Sequence, residues 1–255
     1  MKDILVSVML PSTRKKELVL NTLEKCFNVS NKEDIEVIIR IDDEAKRSKE
    51  WIEEIRNFDE GKYYDRIKVI VGPQLWGYCS VPTFLNEMAE IASGEFFFTI
   101  NDDIDNITEN YTEHIRKHSG KVCILTTRVG HTDHQFDFPI IHRKIWEMTG
   151  TMSIAPYANY HYQEFDTYIP EIVIDTEIKI EHKPQSEFGT NISLGLHCNE
   201  IPDEDYIFNK KTTMMNGEKI NRVEYFVNNV LNKLRRHLNL DEHQGYGNSW
   251  WEGAQ

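Results

Sequence analysis

Short apolar runs alternate with amphipathic stretches through the first half of the chain. The runs are rich in β-branched and aromatic residues and predict five strands, at 4–10, 35–41, 67–71, 96–100 and 122–127. Apolar residues at helical spacing and the capping residues Ser80 and Gly94 predict helices at 15–27, 46–58, between Ser80 and Gly94, and at 108–118. Because strands that alternate with helices form βαβ units, we expect an α/β fold with a Rossmann-like, mostly parallel central sheet flanked by helices.

The alternation fades after about Gly130. The pattern predicts a helix at 140–148 and an edge strand, or an antiparallel pair of strands, at 172–180. An amphipathic C-terminal helix is indicated by apolar residues at helical spacing: Val223, Phe226, Val227, Val230, Leu231, Leu234 and Leu238. Since there is no repeat, low-complexity tract or linker, we expect residues 1–255 to form a single domain that ends in a flexible tail at 241–255.

Composition narrows the class of protein. The 255 residues are 40% hydrophobic and 28% charged, which is typical of a globular chain, and their net charge of −13 argues against a broad DNA-binding face. Four cysteines without a CxxC pair exclude a zinc ribbon and suit a reducing compartment. Because no apolar run reaches about 18 residues and no signal cleavage site follows the first run, we expect a cytoplasmic protein without a membrane span.

Two acidic clusters follow predicted strands and carry the clearest chemistry. They are Asp42-Asp43-Glu44 after the second strand and Asn101-Asp102-Asp103-Ile104-Asp105 after the fourth. Ligands bind beyond the carboxyl ends of parallel strands, so both clusters are expected on one rim, where a divalent cation would relieve the repulsion between carboxylates. The sequence contains neither G-x-x-x-x-G-K-[ST] nor G-x-G-x-x-G after the first strand. We therefore expect a metal-dependent nucleotide site without a glycine-rich phosphate loop.

The ordered segments VSVMLPSTR, IIRIDDEA and GYCSVPTFLNEMAEIASGEFFFTINDD resemble the nucleotide-sugar glycosyltransferases of the GT-A fold, especially family 2-like members. The resemblance covers about residues 3–106 and continues more loosely to about His182. It implies transfer of a hexosyl or pentosyl group from a nucleoside diphosphate sugar, with a UDP-sugar as the expected donor, to an acceptor hydroxyl, with Mn²⁺ or Mg²⁺ as cofactor. It also implies a nucleotide-sugar-binding half at 1–106 and an acceptor-side half at 107–217, and the apolar spacing described above places the C-terminal helix at 218–240.

On the nucleotide side, the resemblance implies a loop that lies against the donor. This loop consists of Pro11, Ser12, Thr13 and Arg14. Asp42 and Asp43 resemble the acidic pair that reads the base or ribose, although a cluster at the start of a helix would also favour the helix dipole. Asn86 stands where such enzymes place a polar residue, and Trp76 either stacks on the ligand or anchors its own loop.

For the metal, Asp102 and Asp103 resemble the DxD element that binds Mn²⁺ or Mg²⁺ and the diphosphate. Asn101 stands where the first Asp is expected, so Asp103-Ile104-Asp105 is an alternative framing that makes Asp105 a ligand as well. His182 resembles a histidine that completes the metal shell in some of these enzymes. The alternative for His182 is a surface residue at the end of a strand.

For catalysis, Glu164 and Asp166 in YQEFD resemble the late acidic motif that supplies the base in inverting members. A non-catalytic sugar-nucleotide-binding module of the same fold is the alternative, and it would need no base at this place. The acceptor class stays open, and a nucleic-acid acceptor is disfavoured by the charge. A zinc site built from His131, Asp133, His134 and His142 is disfavoured because the spacing matches no zinc motif.

Overall fold

An eight-stranded mixed sheet forms the centre of the computed structural model. The structure describes residues 3–12, 16–42, 49–73, 81–130, 136–152, 162, 165–182, 212–215, 218–221 and 226–241, with the backbone alone at 42, 50, 182, 212–215, 218–221, 226 and 227. The strands of the sheet are β1 (Val6–Ser12), β2 (Ile35–Asp42), β3 (Ile67–Gly72), β4 (Phe96–Thr99), β5 (Ile104–Ile107), β6 (Ile124–Val129), β7 (Ile140–His142) and β8 (Val173–His182). A separate antiparallel pair contains β9 (Thr212–Met215) and β10 (Glu218–Asn221).

Helices connect the strands and cover both faces of the sheet. They are α1 (Lys16–Asn28), α2 (Lys49–Arg56), α3 (Val81–Ile91), α4 (Tyr111–Arg116), α5 (Arg143–Thr149) and α6 (Asn232–His237). A π-helical segment, Phe226–Leu231, leads directly into α6. Among the helices that the structure describes, none combines the length and hydropathy that a bilayer crossing needs.

The strand order is β3-β2-β1-β4-β7-β6-β8-β5. The pairs β1–β2, β2–β3, β1–β4 and β6–β8 are parallel, whereas β4–β7, β6–β7 and β5–β8 are antiparallel. The sequence expectation of a mostly parallel, Rossmann-like sheet is confirmed. Since β1, β2, β3 and β4 run in one direction, their carboxyl ends lie along one edge of the sheet.

The core has two parts, one on each face of the sheet. Along β1, Val8 and Leu10 belong to one cluster with side chains of α1, and Met9 between them belongs to the other with side chains of α3. All three are completely buried. A strand covered on both faces carries mostly apolar side chains, and this is why these strands appear in the sequence as near-continuous apolar runs.

The amino end of the parallel strands is held by a buried polar cluster. Ser7 Oγ donates to Glu36 Oε1 at 2.6 Å, and Lys68 Nζ lies 2.7 Å from Glu36 Oε2. Burial raises the pKa of the Glu36 carboxyl, but hydrogen bonds from Lys68, Ser7 and Ser93 outweigh burial and hold the pKa below its ordinary value. Gly94 packs so closely that a Cβ there would lie 2.4 Å from the backbone nitrogen of Ser7.

Three sequence predictions need correction. Residues 140–148 are not one helix, because Ile140–His142 forms β7 and the helix begins at Arg143. The alternating segment at 172–180 is neither an edge strand nor a strand pair, because the single strand β8 pairs with β6 on one side and with β5 on the other. Finally, Ile104–Ile107 forms β5, which the pattern did not predict, and α4 is shorter than the expected helix at 108–118.

Candidate functional site

The carboxyl ends of β1, β2 and β4 meet at the candidate site. Ser12 at the end of β1 pairs with Ile41 of β2, next to Asp42, the last residue of that strand. On the other side of β1, the Ile100 N–H donates to the Met9 carbonyl at 3.0 Å and continues the pairing beyond the end of β4. The register thus places the Asp102 segment beside Ser12, as the sequence pattern led us to expect for strand ends along one edge.

A short hydrogen bond joins two of the predicted site residues. Ser12 Oγ donates to Asp102 Oδ2 at 2.6 Å, and the two residues are 3% exposed each. A hydroxyl that donates to a carboxylate over this distance forms a charge-assisted hydrogen bond, which is stronger than a neutral one. The bond therefore fixes the orientation of the Asp102 carboxylate at the edge of the sheet.

The predicted metal ligands lie just before β5, on β5 and at the end of β8. Asp103 is 5% exposed, and Asp105 is exposed to solvent on β5. The antiparallel register of β5 and β8 places His182 opposite Ile104, the residue between these two aspartates. Asn21 Nδ2 of α1 donates to the Ile104 carbonyl at 3.3 Å and holds the start of β5. The topology therefore brings the backbone of His182 to the acidic segment.

This set of side-chain types fits a divalent cation. Carboxylate oxygens are the preferred ligands of Mg²⁺ and Mn²⁺, and an imidazole is also acceptable to Mn²⁺. Among the side chains that the structure describes, no group of three or more His, Cys, Asp and Glu is arranged to hold a metal ion. A cation bound by one or two carboxylates and completed by substrate phosphates does not need such a group.

Asn86 ties α3 to the segment that follows α5. Its Nδ2 donates to the Pro82 carbonyl at 2.9 Å, and its Oδ1 accepts from the Met152 N–H at 2.7 Å. The Met152 carbonyl in turn accepts from the Tyr162 hydroxyl at 2.6 Å. Burial raises the pKa of the Tyr162 phenol, so the hydroxyl stays protonated and can donate this hydrogen bond. The amide of Asn86 thus holds the 151–152 segment in place.

Asp166 lies in a short helical segment, 165–168, with its carboxylate exposed to solvent. Its neighbours Phe165 and Tyr168 are buried in the same core cluster as α3. Arg235 Nη1, from α6, donates to the Tyr168 carbonyl at 2.9 Å. Among the described residues, no hydrogen bond or ion pair joins Asp166 to Asp102 or Asp103, whereas one joins Ser12 to Asp102.

Several predicted residues fall outside this geometry. Thr13, Arg14, Asp43, Trp76 and Glu164 lie outside the described residues, and Asp42 and His182 are described by their backbone alone. Pro11 is half-buried within β1, opposite Arg40 of β2.

Of the four residues in the disfavoured zinc site, His142 lies within the described residues. Its Nδ1 accepts from the Lys144 N–H at 3.1 Å, and its Nε2 lies 3.5 Å from Glu95 Oε1. Burial lowers the pKa of this imidazole, although Glu95 acts in the opposite direction. Since Nδ1 accepts a hydrogen bond at the start of α5, His142 caps that helix.

Sequence reasoning did not identify Arg40 as part of this region. Its side chain is completely buried at the carboxyl end of β2, two residues before Asp42. The available signal was a charged residue inside the apolar run IEVIIRI, where a strand covered on both faces normally has none.

Comparison with known proteins identifies the family and the fold. A family model described as Glycosyl transferase family 2 matches residues 7–169, which is more than half of the chain. No curated protein sequence gives a significant match. Several solved structures are similar to this chain in fold.

The mannosyltransferase PcManGT from Pyrobaculum calidifontis, in complex with GDP-Man and Mn²⁺, has a TM-score of 0.56 at 11% identity over 71% of this chain and 57% of that chain. TarS from S. aureus, in complex with UDP-GlcNAc, has a TM-score of 0.52 at 13% identity over 73% of this chain and 61% of that chain. Glucosyl-3-phosphoglycerate synthase from Mycobacterium tuberculosis, in complex with Mn²⁺, UDP and glucosyl-3-phosphoglycerate, has a TM-score of 0.50 at 12% identity over 86% of this chain and 87% of that chain.

The alignments span about three-fifths of the first two of these proteins. At such low identities the structural similarity establishes the fold, and the family model establishes the membership. The chain belongs to glycosyl transferase family 2 and has the GT-A nucleotide-sugar glycosyltransferase fold.

Proposed function

We propose that this protein is a metal-dependent glycosyltransferase that transfers a sugar from a nucleoside diphosphate sugar, with a UDP-sugar as the expected donor, to an acceptor hydroxyl. The observation that carries the proposal is the Ser12–Asp102 hydrogen bond at the carboxyl edge of the sheet, beside the buried Asp103. The relatives support it, since one solved structure holds GDP-Man with Mn²⁺ and another holds UDP with Mn²⁺.

The acidic segment would hold the cation and, with it, the diphosphate of the donor. Asp103, Asp105 and His182 are the proposed ligands, and Asp102, oriented by Ser12, would face the donor. A bound Mn²⁺ or Mg²⁺ supplies positive charge that stabilises the negative charge developing on the departing diphosphate. Without a cation, adjacent carboxylates at a site that binds phosphates would repel the donor.

The end of β2 would bind the nucleoside. Asp42 and Asp43 follow a strand that lies next to β1, so hydrogen bonds from the base or ribose to these carboxylates would place the nucleoside on the β2 side of the cation. The end of the neighbouring strand β1 and the residues that follow it in sequence contain Pro11, Thr13 and Arg14. Asn86 would act by holding the 151–152 segment, and Trp76 would stack on the ligand.

Transfer needs a group that removes the proton of the acceptor hydroxyl as its oxygen attacks the sugar carbon. Asp166 and Glu164 are the proposed candidates, and the exposure of Asp166 leaves its carboxylate open to an acceptor. The bond from the sugar carbon to the diphosphate oxygen breaks as the new glycosidic bond forms. The base would receive the proton, and the nucleoside diphosphate would leave with the bonding electron pair.

The first test measures nucleotide binding by calorimetry with UDP and GDP, with and without Mn²⁺. Asp103→Asn should abolish the Mn²⁺-dependent part of binding at nearly unchanged melting temperature, because the amide keeps the volume of the carboxylate. Asp65→Asn is the control, since Asp65 is exposed just before the amino end of β3. Wild-type affinity in Asp103→Asn, or full activity in EDTA, would refute metal dependence.

The second test separates the enzyme from a binding module. Asp166→Asn and Glu164→Gln are compared by donor affinity and by nucleoside diphosphate release over a panel of hydroxyl acceptors. The variant that lacks the base should bind donor normally and lose about 10²- to 10⁴-fold in rate. Normal transfer by both variants would remove the proposed base, and nucleotide binding without transfer by the wild type would leave a binding module.

A further inference from the structure

Arg40 is a charged residue whose side chain has no exposed surface, close to the proposed donor site. It lies on β2 with Pro11 of β1 on one side and Ile70 of β3 on the other. Moving a guanidinium out of water is unfavourable unless it is paired and its N–H groups find acceptors. Hydrophobic residues occupy most other positions of this strand, so the contacts of Arg40 must explain its presence.

Within the described part of the chain, three contacts link Arg40 to elements other than its own strand. Its Nε donates to Glu87 Oε2 of α3 at 3.0 Å, and its Nη2 donates to the carbonyl of Pro73 at 2.6 Å. Its guanidinium carbon lies 4.0 Å from the ring centroid of Phe84, also on α3. The planar side chain therefore joins the end of β2, the residue that follows β3 and the face of α3.

Gly72 leaves the space through which Arg40 reaches Pro73. A Cβ at position 72 would lie 2.7 Å from Arg40 Nη2, closer than a normal contact. Gly72 also pairs with Asp42 in the register of β2 and β3. The guanidinium and the missing side chain at position 72 therefore form one packed unit at the edge that carries Asp42.

We propose that Arg40 is a positioning residue of the donor site, which fixes Pro73 and helix α3 relative to the end of β2. The inference rests on the proposed function. The end of β2 carries Asp42 and α3 carries Asn86, and both residues are proposed to serve the donor. A single buried side chain that fixes the positions of these elements before the donor arrives lowers the cost of ordering the elements on binding.

The experiment compares Arg40→Met with Lys68→Met. Lys68 is a cation on the neighbouring strand that is bound to Glu36 at the opposite edge of the sheet, so its removal controls for a lost ion pair. Both variants should melt at lower temperature than the wild type. Only Arg40→Met should weaken binding of UDP or GDP in Mn²⁺, by about 10-fold or more. Only this variant should speed amide hydrogen exchange in peptides that cover α3.

Arg40→Lys and Glu87→Gln extend the test to variants with smaller disturbance. Lysine keeps the charge but lacks the planar fork that serves Glu87 and Pro73 together, so nucleotide affinity should lie between those of the wild type and Arg40→Met. Glu87 is partly exposed, so Glu87→Gln should fold and weaken binding less than Arg40→Met. If Arg40→Met does not fold, these two variants decide the question by the same measurements.

Gly72→Ala tests the same contacts by adding a methyl group next to the Arg40 guanidinium. The new methyl group would displace the guanidinium, so Gly72→Ala should reproduce the faster exchange in α3. The double variant Gly72→Ala/Arg40→Met should be no worse than Arg40→Met alone. Additive losses, or wild-type nucleotide affinity in folded Arg40→Met, would overturn the proposal. If the wild type binds neither nucleotide, the proposed function fails, while exchange and the double variant still show whether Arg40 holds α3.

Discussion

The Ser12–Asp102 hydrogen bond allows a direct test of the donor site, because the same strand contains a matched bond at its other end. Ser12→Ala removes a 2.6 Å bond to a carboxylate in a buried environment. A hydrogen bond to a charged group contributes about 1.5–3 kcal/mol. For a chain of this size, that loss corresponds to a fall in melting temperature of about 3–12 °C. If the bond orients Asp102 for the donor, nucleotide affinity should also fall by about 10- to 150-fold.

Ser7→Ala is the matched control. Ser7 lies on β1 as well and donates to a buried carboxylate, Glu36, at the same distance of 2.6 Å, but at the amino end of the strand. Its Oγ also accepts from the Gly94 N–H at 2.8 Å, so the loss of stability should be at least as large as in Ser12→Ala. Because Ser7 is at the opposite edge of the sheet, nucleotide affinity should not change.

The assay is calorimetry with UDP and GDP in Mn²⁺, together with thermal unfolding of both variants without nucleotide. The expected pattern is a loss of stability in both variants and a loss of affinity in Ser12→Ala alone. Wild-type affinity in Ser12→Ala, or an equal loss of affinity in Ser7→Ala, would refute the reasoning that this bond prepares the site.

Three further predictions concern the fold and the candidate base. The pKa of Glu36 is lowered in the folded protein. Its contribution to stability is therefore complete above the ordinary pKa of 4.5 and is lost as the pH falls through the lower, folded-state pKa. Urea unfolding midpoints between pH 3 and 6 should show this loss in the wild type and less of it in Glu36→Gln. Gly94→Ala forces a Cβ against the backbone of Ser7 and should destabilise the protein by about 1–3 kcal/mol or more, measured by urea unfolding. Arg235→Gln removes a hydrogen-bond donor to the 165–168 segment and should slow transfer more than it weakens nucleotide binding. An equal loss of transfer rate and of nucleotide affinity, in single-turnover and binding assays, would contradict a role of Arg235 in positioning this segment.

Much of the first half of the fold could be predicted because the central parallel strands are covered on both faces. Such strands carry mostly apolar side chains, so β1, β2 and β4 appear as near-continuous apolar runs. The predicted strands agree with the structure to within two residues at each end. The order of the acidic clusters along these strands was enough to suggest the edge at which a ligand would bind.

The second half could not be predicted as well because its strands depend on their neighbours. β7 has three residues, and an apolar run of that length is compatible with a helix or a strand until β4 and β6 pair with it. The alternation in β8 is real, with Thr176, Ile178 and Ile180 buried and the residues between them exposed. The alternation shows that one face of β8 is exposed to solvent. A strand with one exposed face can still lie between two other strands of the sheet.

By itself, the sequence determined the α/β class, the parallel strands and the residues that could serve a metal and a nucleotide, since these depend on local periodicity and side-chain chemistry. Only the tertiary structure decided which of those residues act together. Ser12 and Asp102 are 90 residues apart in the chain, and Arg40 and Pro73 are 33 apart. Each pair meets because the strand register aligns the ends of neighbouring strands, which brings together residues far apart in the chain.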